Sequence, residues 1–281
     1  MSDLMRVCTN VQAMQARIAL MRVNDEISVH QLRLATGRKI NSAGEDPAGY
    51  ALARSLESRK KGLTVALDNV SNAKNVLDIA EGGYQNIMDI LQTCKQKATQ
   101  AADGSLSSTQ RGSLNSQVTE LIKEIDEIAS GTKFNGYYLI GKNPETDASD
   151  SLTFQTGEGK DDNLAVTLDA ADSASLGIGA GNFSLTTSAD AKLAIDTFND
   201  AISDLSGYVQ TVGQYKSRLS TKESNLSVGI TNTEAVRSNV EDADFAREQM
   251  EVVKLQILQQ TAVASLVQAN SSPQIVLSLF Q

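Results

Sequence analysis

Few residues of this chain are of a type that could do chemistry, and none has the spacing that a familiar reaction or metal site requires. His30 is the only histidine, which excludes a paired-histidine metal site and argues against a His-based catalytic triad. Gly177, Gly179 and Gly181 alternate with other residues, but no Lys-Ser or Lys-Thr follows them as a phosphate-binding loop requires. We therefore expect neither a catalytic residue nor a cofactor.

The acidic and cysteine residues also lack the spacing of a metal site. Asp161-Asp162 and Asp242-Ala243-Asp244 lack the ligand ladder and bidentate Glu of a calcium loop, and we interpret them as a charged turn and a helix N-terminal charge. Cys8 and Cys94 form no Cys-x-x-Cys pair. Cys94 falls on an apolar helical stripe, where cysteine behaves as a small hydrophobic residue. No metal site is predicted.

The dominant pattern is instead a stripe of small and apolar residues that runs from Leu63 to Ala101 at alternating steps of three and four. Such a period of 3.5 is the seam of a long α-helix that packs against other long helices. Helices at 108–129 and 189–230 could supply these partners. The predicted rod seam consists of Leu63, Val70, Leu77, Tyr84, Ile87, Leu91, Leu121, Ile125, Ile202, Leu205 and Val209.

Weaker stripes occur at both ends of the chain. The first helix should run to about Thr36 and end at Gly37 as its C-cap, and the next should begin at Pro47 with Asp46 as its cap. Ser238–Glu241 has the form of a capping box that opens the last helix. Pro273 should end that helix.

Exposed apolar stripes of this length mark association sites, and a head-to-tail contact of this kind builds rings or helical filaments. The stripe of the first helix drifts to Leu20, Ile27 and Leu34, spaced by seven, and Ile257, Ala264 and Val267 lie beside the stripe of the last helix. The predicted contacts between subunits are Leu4, Val7, Val11, Met14, Ile18, Met21, Leu255, Leu258, Ala262, Leu266, Leu277, Leu279 and Phe280.

The middle of the chain has a different composition, with short β-type runs at Leu152–Phe154, Leu164–Leu168 and Phe183–Thr187 that suggest hairpins. The predicted fold is mainly α, a long antiparallel helical bundle or rod with a small β-hairpin-rich insertion and with the N- and C-terminal helices together at one end. The predicted division is 1–40 and 238–281 for the terminal helices, 41–141 and 189–237 for the rod, and 142–188 for the insertion.

Charge and hydropathy exclude other classes of protein. The net charge of -9 argues against nucleic acid as a partner. No stretch reaches the about 18 apolar residues of a membrane span, so no membrane insertion is expected. The opening residues lack the apolar run of a secretory signal, which predicts a cytoplasmic protein unless export uses another route.

Several strings at both ends resemble bacterial flagellin. They are 7–14 (VCTNVQAM), 37–49 (GRKINSAGEDPAG), 80–82 (AEG), 124–126 (EID) and 132–136 (TKFNG), then 240–246 (VEDADFA), 256–260 (QILQQ) with 269–270 (AN), and 273–279 (PQIVLSL). The resemblance extends over roughly residues 4–141 and 189–281, and the strings occur in the order in which the family carries them.

This resemblance implies a structural, non-enzymatic subunit that polymerises into the flagellar filament, with 1–40 and 238–281 as the inner tube. The short middle implies a minimal flagellin. It further implies an extracellular filament, export without a cleaved signal peptide through the flagellum-specific apparatus, and an export chaperone. Expected partners are copies of the chain, sibling flagellins, the filament cap and hook-associated proteins.

Some positions depart from the family's pattern. Cys8 replaces the usual Asn before Thr9-Asn10, and Thr93, Lys97 and Gln117 replace the Arg, Leu and Glu of receptor-stimulating flagellins. Losing a charged donor, an apolar contact and a carboxylate should weaken recognition by the flagellin-sensing Toll-like receptor.

Two alternatives remain open from the sequence. A hook–filament junction protein shares similar terminal helices, and a coiled-coil adaptor would bind a partner without polymerising.

Overall fold

The computed structural model describes residues 9–143, 149–179 and 181–278, and this part of the chain is mainly helical, as predicted. Its helices are α1 (Val11–Thr36), α2 (Pro47–Ala101), α3 (Ser108–Gly131), α4 (Ser188–Glu241) and α5 (Phe245–Ser278). Its strands are β1 (Lys133–Phe134), β2 (Tyr137–Tyr138), β3 (Leu152–Gln155) and β4 (Asn163–Val166). The predicted contacts at Leu4, Val7, Leu279 and Phe280, the side chain of Leu277, and Cys8 lie outside the described residues.

The chain divides into two compact units. The terminal unit comprises Met1–Lys60 and Thr231–Gln281, and the central unit comprises Lys61–Ile230. Helices α2 and α4 contribute residues to both units.

The core of the central unit is the stripe on α2. All twelve of its residues from Leu63 to Ala101 are buried, and none is more than 9% exposed. Helix α3 runs antiparallel to α2: Lys97 Nζ donates to Gln117 Oε1 at 2.6 Å, and Arg111 Nε donates to the carbonyl oxygen of Ala101 at 2.9 Å. Because Ser107 and Gln110 close a capping box at the start of α3, the turn between the two helices is well defined.

Helix α4 also runs antiparallel to α2. Lys74 forms an ion pair with Glu223 at 2.8 Å, and Lys216 bridges Asp78 and Glu81 at 2.7 Å each. Lys216 and Glu223 interrupt the apolar stripe of α4. Their partners on α2 explain how these charged residues fit at the edge of the seam.

The apolar stripe of α3 is rotated by about one residue from the predicted one. Ile122 and Ala129 are buried, whereas the predicted Leu121 is half-buried, as is Ile128 further along the same helix. Since neighbouring positions in a helix lie about 100° apart, both rows border the same core.

The four described strands form two antiparallel hairpins. The pairing of β3 with β4 confirms two of the predicted strands. A strand at Phe183–Thr187 is wrong: this segment pairs with no strand, and the Leu185 N–H instead donates to Asn115 Oδ1 of α3. The β1–β2 hairpin was not predicted, although its Asn135-Gly136 turn, with φ of 49° and 89°, is the strongest short hairpin signal.

The predicted boundaries near the N-terminus are confirmed. Helix α1 ends at Thr36, followed by Gly37 in the left-handed conformation with φ of 68°. Asp46 caps α2 by accepting a hydrogen bond from the Gly49 N–H at 3.0 Å.

The predicted boundaries near the C-terminus are wrong. Ser238–Glu241 continues α4 rather than opening a new helix, and the cap of α5 is Asp244, whose Oδ1 accepts from the N–H groups of Ala246 and Arg247. Helix α5 also continues past Pro273 to Ser278. A proline removes one helical hydrogen bond, which kinks or weakens a helix without necessarily ending it.

Candidate self-association surface

The terminal helices α1 and α5 form an antiparallel pair, with Cα atoms of the two helices within 8 Å of each other. Asn10 Nδ2 donates to the carbonyl oxygen of Ala269 at 2.7 Å, and Gln259 Nε2 donates to Asn24 Oδ1 at 2.6 Å. Asn10 also caps α1, because its Oδ1 accepts from the Ala13 N–H. These polar contacts fix the register of the pair.

Each helix of the pair turns one stripe toward the other. The residues of these stripes are buried or half-buried and alternate at steps of three and four, as in a coiled-coil seam. They are Ala13, Ala16, Leu20, Val23, Ile27, His30 and Leu34 on α1, and Glu248, Val252, Leu255, Gln259, Ala262, Leu266 and Ala269 on α5.

The opposite face of each helix carries a second apolar stripe that has no partner among the described residues. On α1 it includes Met14, Ile18 and Met21, each at least 50% exposed. On α5 it includes Met250, Val253, Ile257 and Val267, each at least 46% exposed. Leu255 and Ile257 illustrate the division, since residues two apart point about 200° from each other around a helix. We call these two rows the outer stripes.

The predicted contact residues therefore fall on different faces. Met14, Ile18 and Met21 lie on the outer stripe of α1, and Leu258 is 44% exposed on α5. Leu255, which is 4% exposed, belongs to the seam between α1 and α5. Ala262 and Leu266 belong to the same seam, and Val11 is half-buried at the start of α1.

A polar cluster closes the seam at one end. His30 Nδ1 lies 2.5 Å from Glu248 Oε2, and the Glu248 carboxylate also lies 3.8 Å from an Arg33 guanidinium nitrogen. Arg33 in turn reaches Glu45 at 3.3 Å. His30 is half-buried at this position on the seam.

A short antiparallel β-bridge connects the chain just after α1 with the chain just before α5, and we call this region the junction. The Lys39 N–H donates to the Glu241 carbonyl oxygen at 2.7 Å, and the Ala243 N–H donates to the Gly37 carbonyl oxygen at 2.9 Å. These bonds join the segment that follows α1 to the segment that precedes α5.

Three arginines surround the buried carboxylate of Glu241, which is 1% exposed. Arg38 lies at 3.1 Å and Arg237 at 2.6 Å, and Arg54 donates to the same carboxylate. A buried charge is tolerated only when it is paired and hydrogen-bonded, and these three guanidinium groups meet that need.

The next carboxylate along α4, Glu234, joins this junction. Hydrogen bonds from Arg237 and then from Lys60 lower the pKa of Glu234 from 4.5 to about 2. The same carboxylates raise the pKa of Arg237. The junction is therefore held by ion pairs as well as by the β-bridge.

The predicted rod-seam residues lie in the central unit. Leu63, Val70, Leu77, Tyr84, Ile87, Leu91, Ile125 and Leu205 are buried, whereas Leu121, Ile202 and Val209 are half-buried. Tyr84 donates its hydroxyl to the carbonyl oxygen of Asp169 at 2.5 Å. Burial raises the pKa of the Cys94 thiol to about 12, as expected for a cysteine inside a core.

The three receptor-related positions lie together on the central unit. Thr93, Lys97 and Gln117 line a shallow groove of about 570 Å³ along α2 and α3. Gln117 Oε1 accepts the hydrogen bond from Lys97 described above, so two of the three side chains are paired with each other.

Within the described ranges, no group of three or more His, Cys, Asp and Glu side chains is placed to hold a metal ion. None of the helices in the same part of the chain is long and apolar enough to cross a membrane.

A terminal helix pair with unpartnered outer stripes, together with a central unit that closes its own core, has the properties of a helical polymer subunit. Comparison with known families specifies which one. Residues 7–144 match the bacterial flagellin N-terminal helical region, and residues 195–280 match the bacterial flagellin C-terminal helical region. The chain belongs to the bacterial flagellin family.

Curated relatives and solved structures agree with this assignment. The chain is 31% identical to flagellin FlaB1 of Treponema pallidum, with 97% of this chain and 98% of that protein covered. It is 32% identical to a flagellin of Listeria innocua, with 98% and 99% covered. The crystal structure of Bacillus cereus flagellin matches with a TM-score of 0.51 at 26% identity, over 57% of this chain and 88% of that one.

The protein is thus a structural subunit that self-associates into the bacterial flagellar filament. A hook-associated protein of Vibrio parahaemolyticus also matches, with a TM-score of 0.58 over 70% of this chain and 100% of that one. At 14% identity that likeness shows the fold alone. The hook-junction alternative is not better supported than the filament subunit.

Proposed function

We propose that the outer stripes of α1 and α5 form the contacts between subunits in the inner tube of the filament. The observation that supports this most directly is that both helices keep an exposed apolar row after they have paired with each other. Exposed apolar rows of this kind mark association surfaces. Their spacing of three and four residues suits packing against further helices.

The stability of the terminal helices supports the same proposal. Most helical stability comes from tertiary packing, and each terminal helix buries only one of its two apolar stripes in the monomer. We propose that assembly supplies the second set of contacts and thereby stabilises α1 and α5. The central unit forms the surrounding rod layer.

The experiment introduces one charge on the outer stripe of α5. Ile257→Asp places a carboxylate where an apolar contact between subunits is proposed, and burying an unpaired carboxylate is costly. We expect purified monomer with this change to keep wild-type helix content by circular dichroism. After seeding with filament fragments, it should form no long filaments in electron micrographs.

Gln256→Asp is the matched control, because it adds the same charge at the neighbouring exposed position of the same helix. This variant should assemble. Wild-type assembly by Ile257→Asp would contradict the assignment of the α5 outer stripe.

Family membership supports a wider set of proposed partners. We propose that the chain leaves the cell through the flagellum-specific export apparatus, with an export chaperone holding its C-terminal helices. In the extracellular filament it would contact sibling flagellins, the cap and hook-associated proteins. Retention of the chain inside cells that lack the export apparatus would test the route.

The groove at Thr93, Lys97 and Gln117 supports a separate proposal, that this flagellin stimulates the flagellin-sensing Toll-like receptor weakly. The triple change Thr93→Arg, Lys97→Leu and Gln117→Glu should raise potency in receptor reporter cells. Thr119→Ala on α3 serves as a control. Equal potency of the unchanged chain and a strongly stimulating flagellin would refute this proposal.

A further inference from the structure

Three methionines lie on the outer stripes. Met14 is 58% exposed and Met21 is 54% exposed on α1, and Met250 is 66% exposed on α5. By contrast, Met88 is half-buried and packs against the core of the central unit. The methionines most open to solvent in the described part of the subunit therefore lie on the surface that assembly is proposed to bury.

We propose that Met14, Met21 and Met250 are three separate oxidation sites of the unassembled subunit, and that their oxidation by peroxide blocks its entry into the filament. This inference rests on the proposed function of the outer stripes. The substrate class is a hydroperoxide, with hydrogen peroxide as the simplest member. Methionine sulfoxide reductases would reverse the modification.

The reaction is a two-electron transfer of oxygen. The thioether sulfur attacks the peroxide, one oxygen atom forms a new S–O bond, the O–O bond breaks, and water leaves. Sulfur is oxidised to the sulfoxide and the peroxide is reduced. In the reverse direction a dithiol reductant takes up the oxygen as water and becomes a disulfide.

The physical effect follows from the neighbours of these methionines. A thioether is soft and apolar, whereas a sulfoxide is a strong hydrogen-bond acceptor. Ile18, Val253 and Ile257 on the same stripes have no side-chain donor to offer it. Burial of an unsatisfied polar group is unfavourable, so an oxidised subunit should be excluded from the polymer.

Partial oxidation of the wild-type monomer tests this within a single sample. Monomer treated briefly with hydrogen peroxide is seeded, allowed to assemble and sedimented, and peptide mass spectrometry measures sulfoxide at each methionine. We expect the pellet to carry roughly tenfold less sulfoxide than the supernatant at Met14, Met21 and Met250. Equal sulfoxide content in the two fractions would overturn the proposal.

A triple variant with Met14→Leu, Met21→Leu and Met250→Leu is the matched control, because leucine has a similar volume and resists peroxide. It keeps every other methionine of the chain. This variant should assemble equally well before and after peroxide treatment. If peroxide blocks it as strongly as wild type, the site lies elsewhere and the proposal is wrong. If the triple variant does not assemble even without peroxide, the sulfoxide contents of the wild-type pellet and supernatant decide whether the proposal holds.

Finished filaments separate this proposal from the one on which it rests. If the outer stripes are buried in the filament, the three methionines should react at least about tenfold more slowly there than in monomer. Oxidation at the monomer rate would contradict the proposed function of the stripes. Protection in filaments together with equal partition of oxidised chains would contradict the oxidation proposal alone.

Discussion

The terminal and central units use the same helical spacing in different ways. The central unit buries an unbroken stripe from Leu63 to Ala101 against helices of its own unit. In the described part of the terminal unit, only Ile27, Ile40, Ala53, Val252 and Leu255 are buried hydrophobic residues. Other large hydrophobic residues of the terminal helices, such as Met14, Met250 and Ile257, are exposed on the outer stripes.

This difference between the two units shows that an apolar period of 3.5 residues predicts packing against another helix. It does not tell whether that helix belongs to the same subunit or to another one. A helix with one apolar stripe is complete when one neighbour covers it. A helix with two opposite stripes needs a second neighbour, and within the described part of the subunit nothing covers the outer stripes of α1 and α5. The central unit thus buries its main apolar stripe within the subunit, whereas the outer stripes of α1 and α5 stay exposed in it.

The largest expected effect is the loss of a core side chain in the central unit. Leu91→Ala removes a fully buried residue of the α2 stripe, and such changes reduce the free energy of unfolding by about 2–5 kcal/mol. Urea unfolding of the monomer, followed by circular dichroism, measures the change. Leu193→Ala, at a position 67% exposed on α4, should change stability by less than about 0.5 kcal/mol. Similar losses for both variants would contradict a central unit that closes its own core.

The second effect distinguishes the two faces of α5. Leu255→Ala opens the seam with α1 and should lower the protection of α1 and α5 amides against hydrogen exchange by about 1–3 kcal/mol. Ile257→Ala on the outer stripe should leave monomer exchange unchanged and raise the critical concentration for assembly. If Ile257→Ala loosens the monomer as much as Leu255→Ala, the two-face description of α5 is wrong.

The two faces of α5 also show which features of the structure could be predicted from the sequence. The alternating stripe around Tyr84 and the stop signal at Gly37 predicted long helices and their ends, because both are local properties of the chain. The face on which Leu255 lies could not be predicted, since an apolar residue on a two-striped helix has two candidate partners. Only the register of the α1–α5 pair, set by contacts such as that of Gln259 with Asn24, decides between them.

The insertion gives a second case of a long-range contact overriding local pattern. Phe183–Thr187 has β-type composition, yet the side chain of Asn115 accepts the Leu185 N–H that a strand partner would have used. The opposite error concerns Asn135-Gly136, a local turn signal that was sufficient to predict a hairpin. The capping signal at Ser238 also failed, since α4 continues through it to Glu241 and α5 begins at Phe245 with Asp244 as its cap.

A smaller effect is expected at Gly37, the C-cap residue of α1, which lies between this helix and the β-bridge. Gly37 has φ of 68° and no side-chain obstruction nearby, so a substitution meets backbone strain rather than a clash. Gly37→Ala should reduce monomer stability by about 1–2 kcal/mol, and Gly37→Asn should cost less because asparagine tolerates this conformation better. Thermal unfolding of both variants measures the difference. Equal losses would mean that the left-handed conformation is not what the position requires.

The smallest expected effect concerns the ion pairs at the junction. We expect them to add stability to the terminal unit, which has few buried hydrophobic residues. Arg237 and Lys60 hold the pKa of Glu234 at about 2, below its ordinary 4.5, so the folded state favours the carboxylate. The stabilisation is fully present above pH 4.5 and is lost as the pH falls through about 2. Glu234 is 36% exposed, so solvent screens the effect.

Glu234→Gln should be slightly less stable than wild type at pH 7 and equal to it near pH 2, as measured by urea unfolding across that range. Glu120→Gln, which removes an exposed carboxylate paired with Lys123 on the central unit, provides the control. A wild-type advantage over Glu234→Gln that persists unchanged to pH 2 would show that the junction gains nothing from this charge.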